Sequence, residues 1–118
     1  MRTDSERLAD ILDAVQRIRR NVKAGDRHHF QQDEVLQNAV LRWFEIIGEA
    51  SRGLTDQFRH DHQQVPWREI TDMRNRVTHG YFDIDLDVVW NTIMNDLPAL
   101  EAAVARWLPP SEQAPTSH

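Results

Sequence analysis

Apolar positions recur along most of this chain at helical spacing, and nowhere do they alternate with period two. Leu8, Ile11, Leu12, Val15, Ile18 and Val22 make one stripe, while Asp10, Asp13, Gln16, Arg20 and Lys23 fall outside it. That pattern predicts an amphipathic first helix. Thr3-Asp4-Ser5-Glu6 has the spacing of a capping box to start it, and Gly25 is expected to stop it. After a polar connection holding His28, His29 and Phe30, Asp33 is placed to cap a second helix, with Glu34 against its dipole. Val35, Leu36, Ala39, Val40, Trp43, Phe44, Ile46, Ile47 and Ala50 give that helix a wide apolar face. Such width predicts burial against two neighbours, or against one neighbour and a second copy of the chain. Gly48 costs about 1 kcal/mol inside a helix relative to alanine, so its expected use is the close approach of another backbone. Gly53 is expected to end or bend the helix, with Leu54 and Phe58 continuing one face for another turn or two.

The stretch from Arg59 to Gln64 is strongly polar, and Val65-Pro66 marks the next start, because proline suits the first helical position. Trp67, Ile70, Met73 and Val77 supply the inward stripe of a third helix, for which Gly80 is a natural terminator. Asp83, Asp85 and Asp87 then precede a long fourth pattern running from Leu86 to Leu108, which they are placed to cap. Pro98 lies inside this pattern and predicts a kink or break. From Pro109 to His118 the composition turns to Pro, Ser, Gln and Thr, which predicts disorder. The expected fold is all-α: an antiparallel bundle of four main helices, with room for a fifth short one, in a single domain over residues 1–108.

Composition narrows the function without naming it. The net charge of −5 argues against a general basic coat for nucleic acid, although it leaves room for a local basic cleft. Arginine makes up 13 of the 14 basic residues, a preference that suits bidentate contact with phosphate or carboxylate. The absence of cysteine removes disulfides and thiolate chemistry. No signal peptide and no run of roughly 20 apolar residues is visible, so a cytoplasmic location away from membranes is the expectation.

The densest chemistry falls between Met73 and Asp85, in Met-Arg-Asn-Arg-Val-Thr-His-Gly-Tyr-Phe-Asp-Ile-Asp. Arg74 and His79 are five positions apart, a rotation of about 140° on an ideal helix, so they converge only if the helix has ended before His79. An imidazole beside a guanidinium suits phosphodiester cleavage, one moving a proton and the other stabilising phosphoryl charge. Spacing alone fits a histidine capping a helix C-terminus better. Among weaker candidates, His28-His29 and His60-Asp61-His62 lack helical metal-ligand spacing and read as solvated connections. Glu45 and Glu49, four apart, suit a carboxylate pair or, more simply, ion pairing that orients arginines, Arg74 among them. The four tryptophans fall on or beside apolar stripes and are expected in the core or an interface.

The string Arg-Asn-Arg-Val-Thr-His-Gly-Tyr resembles the Arg-x4-His-x-Tyr signature of the HepT family, a branch of the HEPN superfamily of all-α ribonuclease-like domains. Asn38-Ala39-Val40, Glu45 to Ala50, Val65-Pro66-Trp67 and Asp96-Leu97-Pro98 extend the resemblance over nearly all of the chain from Asp4 to Trp107. It is this resemblance that puts the catalytic reading of His79 ahead of the capping one. It implies a homodimeric toxin that cleaves RNA with no metal and no cofactor, the two motif-bearing ends facing each other across a cleft. It further implies a minimal nucleotidyltransferase (MNT-type) antitoxin as partner, able to join a hetero-oligomer and to add AMP to the motif tyrosine. Carried over, Arg74 and His79 are catalytic, Asn75 is the polar residue following the arginine, Tyr81 is the AMPylation site, and Arg76 becomes a candidate for contacting the RNA backbone. Arg68 is a weaker candidate for the same role. The rival readings are a non-catalytic HEPN-like module that binds a nucleotide or substrate for the transferase, and a plain helical dimerisation module.

Overall fold

The computed structural model describes residues 2–79 and 83–109, with the backbone alone for His79 and Asp83. The expected disorder of the tail after Pro109 and the placement of Gly80 and Tyr81 lie outside the described residues.

The fold is all-α. Helix α1 (Asp4–Asn21) starts on the expected capping box: Thr3 Oγ1 accepts from the Glu6 N–H, and the Glu6 carboxylate accepts from the Thr3 N–H at 2.8 Å. It ends earlier than the position of Gly25 suggests. Val22 is the terminal residue, in extended conformation, and its N–H still donates to Ile18 O. A short α2 (Arg27–Gln32) follows, tied to the next helix by Gln37, whose side-chain amide donates to the carbonyls of Phe30 and Gln31. Asp33 caps α3 (Glu34–Gly53), accepting from the Leu36 N–H as its position predicts.

Helix α3 is central and packs on α1, α2 and the third helical segment. Val40, Phe44 and Ile47 are fully buried in it, opposite Ile11, Leu12, Val15 and Ile18 of α1. Each such side chain contributes about 1.5–3 kcal/mol by leaving water. The apolar face is wider than what this chain covers. Ala39, Trp43 and Ile46 are only partly buried, and Val35 is 80% exposed.

Beyond Gly53 the chain makes a separate short helix, α4 (Asp56–Asp61), capped by Thr55, instead of prolonging α3. Leu54 has turned to extended backbone, and Asp4 holds Thr55 through both its N–H and its hydroxyl. Phe58 then stacks on His62 and meets Trp107 edge-on, so the segment is closed by an aromatic cluster.

The third helical segment is broken. It comprises α5 (Trp67–Thr71) and α6 (Met73–Val77), interrupted at Asp72, with Trp67, Ile70, Met73 and Val77 all buried as the stripe predicts. Gly48 faces this break. A Cβ there would lie 2.9 Å from Thr71 O, so the glycine is what lets the two backbones touch.

The fourth pattern is one continuous rod, comprising α7 (Leu86–Asn91), a π-helical turn over Thr92–Asp96 and α8 (Leu97–Trp107). Pro98 therefore neither breaks nor ends the helix. It occupies the first turn of α8, directly after the π-turn, which loosens the ladder where a proline ring would otherwise press on the preceding turn. Leu97, Leu100, Ala103 and Val104 bury the rod against α1. Among the described residues no helix is long and apolar enough to cross a membrane.

Candidate active site

The sequence motif sits where α6 stops. The helix ends at Val77, three residues short of Gly80, because Thr78 adopts extended backbone (φ −117°, ψ 143°). Thr78-His79, strand β1, pairs antiparallel with Asp83-Ile84, strand β2, in the register Thr78 with Ile84 and His79 with Asp83. The Asp85 N–H donates to Val77 O at 2.6 Å, closing the ladder onto the helix end. Asp85 also caps α7 by accepting from the Val88 N–H at 3.2 Å. Of the three acids expected to cap the last helix, Asp85 is the one that does so. Asp87 lies in the first turn and pairs with Arg27 at 2.6 Å, and Asp83 belongs to the strand. Arg27 also lies 5.9 Å over the Trp90 ring, so α2 braces the segment leaving the motif.

Arg74 projects from α6 toward α3, where its Nε lies 3.1 Å from Glu45 Oε2. This is the ion pair that the position of Glu45 suggested. Glu45 Oε1 also accepts from Arg42 Nη1 at 3.0 Å, so one carboxylate bridges two guanidiniums. Glu49 turns to Arg52, at 3.7 Å, instead of to Arg74. Arg52 in turn donates to Thr71 O at 3.3 Å, the carbonyl that faces Gly48. Glu45, Gly48, Glu49, Arg52, Thr71 and Arg74 line a hollow of about 260 Å³, and the Arg74 side chain is 41% exposed. Exposed guanidinium N–H groups beside a fixed carboxylate suit binding of an anionic oxygen.

The other motif residues are placed differently. Asn75 borders the same hollow, its amide donating to Asp72 Oδ1 at 2.9 Å across the helix break. Arg76, two positions from Arg74, falls on the opposite side of α6. It lines a larger hollow of about 570 Å³ together with Ile70, Met73, Leu100 and Arg106. Arg68 is exposed and borders neither hollow. Of His79 the structure gives the backbone, in β1, and Tyr81 lies outside the described residues.

Among the described residues no three His, Asp or Glu side chains gather as metal ligands. His62 instead stacks on Phe58, with Nδ1 2.8 Å from Phe58 O, and His60 meets Gln63. His29 lies 3.4 Å from Asp33. Sequence reasoning missed that Arg42 shares the Glu45 carboxylate with Arg74 and that Arg52 lines the hollow around Arg74. Their i,i+3 spacing to Glu45 and Glu49 was the available signal.

A family model described as Ribonuclease HepT-like matches residues 11–107 of this chain. The chain belongs to the HepT-like ribonuclease family. Its relatives include a protein of Caldanaerobacter subterraneus subsp. tengcongensis named "Putative RNase", 38% identical over 104 residues, covering 88% of this chain and 93% of that one. A "Probable ribonuclease HepT" of Thermococcus cleftensis is 37% identical, over 85% of this chain and 91% of its own. A "Putative RNase" of Methanocaldococcus jannaschii is 36% identical, over 82% and 89%. No solved structure matches the chain significantly. The HepT-like match begins within α1 and ends with α8, so it takes in every element that borders the Arg74 hollow.

Proposed function

We propose that this HepT-like chain is a metal-independent endoribonuclease acting in the cytoplasm as the toxin of a toxin–antitoxin pair, with Arg74 and His79 as its catalytic residues. The observation that carries the reading is the end of α6 at Val77. A helix continued to His79 would turn it about 140° from Arg74, whereas the extended backbone from Thr78 removes that obstacle. The Arg74 guanidinium, partly exposed and steadied by Glu45, supports the same reading.

In the proposed reaction a ribose 2′-hydroxyl attacks the adjacent phosphorus and the bond to the 5′-oxygen breaks, giving a 2′,3′-cyclic phosphate and a 5′-hydroxyl end. The 2′-hydroxyl gives up its proton and the leaving oxygen gains one. His79 serves one or both transfers, and Arg74 stabilises the charge on the non-bridging oxygens. In a homodimer two copies of His79 share the roles of base and acid. The partly open apolar stripe of Val35, Ala39, Trp43 and Ile46 on α3, beside Arg42 and Glu45, supports such a dimer. Arg76 contacts the RNA backbone from the far side of α6. A cognate MNT-type nucleotidyltransferase antitoxin AMPylates Tyr81, adding bulk and negative charge where an RNA phosphate would sit.

Cleavage of single-stranded RNA in the presence of a chelator tests the core of this proposal. The wild-type chain should cut, and both His79→Ala and Arg74→Ala should abolish cutting. Undiminished cleavage by the His79→Ala protein sinks the assignment. Intact mass after co-expression with the transferase should show AMP increments that vanish in Tyr81→Phe.

A further inference from the structure

One polar stripe of α3 separates two hollows. Arg42, Glu45, Glu49 and Arg52 recur along it at helical spacing. On one side α6 brings Arg74. On the other, Arg7 and Asp10 of α1 and Arg2 just before it make with Arg42 and Glu49 a second hollow of about 320 Å³. Glu49 borders both, so the two are contiguous across a single helix.

The arginines here are nearly all taken by carboxylates. Arg2 pairs with Asp10 at 2.6 Å, Arg42 and Arg74 with Glu45, and Arg52 with Glu49. Arg7 is different: its N–H donates to Thr3 O, but its guanidinium forms no hydrogen bond or ion pair among the described residues, although the residue is partly buried. Its guanidinium lies against the backbone of Gly53, where a Cβ would overlap it. The last residue of α3 is thus a glycine that leaves room for this one group. A partly desolvated guanidinium held in place without a counter-ion presents its N–H groups to an incoming anion, and its planar fork matches phosphate.

We infer that Arg7, seated against Gly53, binds a backbone phosphate of the substrate RNA a short distance along the strand from the one held at Arg74. The strand would then cross α3 from the α6 side to the α1 side. The crossing is about one helix diameter, roughly 10 Å, which a few nucleotides of single strand span. The inference rests on the ribonuclease reading and adds to it a binding residue outside the motif.

The test uses the full chain carrying His79→Ala, so that RNA is bound without being cut, and measures affinity for a single-stranded RNA as salt is varied. Adding Arg7→Gln should weaken binding several-fold at low salt and reduce the slope of log affinity against log salt by about 0.7, one phosphate contact on a single strand. Arg7→Lys should keep the slope. Gly53→Ala, which displaces the guanidinium, should reproduce the effect of Arg7→Gln. Unchanged affinity and slope in Arg7→Gln overturn the inference while leaving the ribonuclease reading intact. A slope lost equally in Arg7→Lys assigns Arg7 a structural role and also overturns it. If the His79→Ala parent binds no RNA, the inference falls together with the reading.

Discussion

Arg74 Nε lies 3.1 Å from Glu45 Oε2, joining α6 to α3 at the point where the motif leaves its helix. Because the same carboxylate also holds Arg42, Glu45 sets the direction of Arg74 from a fixed point on the central helix α3. Both side chains of the Arg74 pair are about two-fifths exposed, so its worth to stability is small, roughly 0–1 kcal/mol. Its consequence is expected in catalysis. Glu45→Gln should leave the thermal midpoint nearly unchanged while RNA cleavage falls about tenfold, equivalent to about 1.4 kcal/mol in the barrier. Cleavage and melting curves on the same preparation check both halves.

Gly48 is expected to tolerate nothing larger. Gly48→Ala gains up to about 1 kcal/mol in helix propensity but brings a methyl group to 2.9 Å from Thr71 O, a backbone atom. Overpacking of that kind costs about 1–3 kcal/mol, so the net change should be destabilising. A denaturant midpoint that rises would show that α5 can simply move away.

Asp85 joins the motif to the last helical rod. Asp85→Ala removes the acceptor for the Val88 N–H and should cost about 1 kcal/mol. The backbone bond from Asp85 to Val77 O survives the substitution, so the loss reports the side chain's contacts, the cap bond among them. Urea denaturation gives the figure directly.

The start of α1 carries a pH dependence. The Thr3 backbone N–H, then the Thr3 hydroxyl, hold the Glu6 carboxyl below the ordinary glutamate range. Its folded pKa is lowered, so its contribution is present above the unfolded value of about 4.3 and is lost as pH falls through the lowered one. Glu6→Gln keeps the shape of the capping box but should erase this dependence. Comparing the two proteins' melting temperatures between pH 3 and 6, a range set by about that same unfolded value, isolates the effect. An identical pH profile would mean that the box is already open in solution.

Periodicity alone was enough to read the helical character of the chain and most of its core. Leu8 to Ile18 and Trp67 to Val77 bury the residues that their 3.6-residue spacing puts on one face, and Leu86 to Leu108 does so for all but the partly buried Leu86, Met94 and Trp107. The starts of α1 and α3 were legible as well, since a cap is a local interaction between residues two or three apart. Gly48 announced a close backbone by its cost, and Glu45 announced an arginine partner by its place in α3. Long-range contact decided the rest. The break at Asp72 lies where α5 abuts α3, the chain turns at Thr55 where Asp4 of α1 holds it, and Pro98 is accommodated by a π-turn.

The sequence by itself determined the all-α class, the family motif and the residues to suspect, because hydrophobic spacing and residue identity are properties of the chain. Only the tertiary structure decided that α6 stops at Val77, that Arg74 and Arg76 face different hollows, and that the Arg7 guanidinium lies against Gly53 with no ion pair among the described residues. Those facts depend on which helices meet and how closely their backbones approach. No local pattern in the chain encodes them.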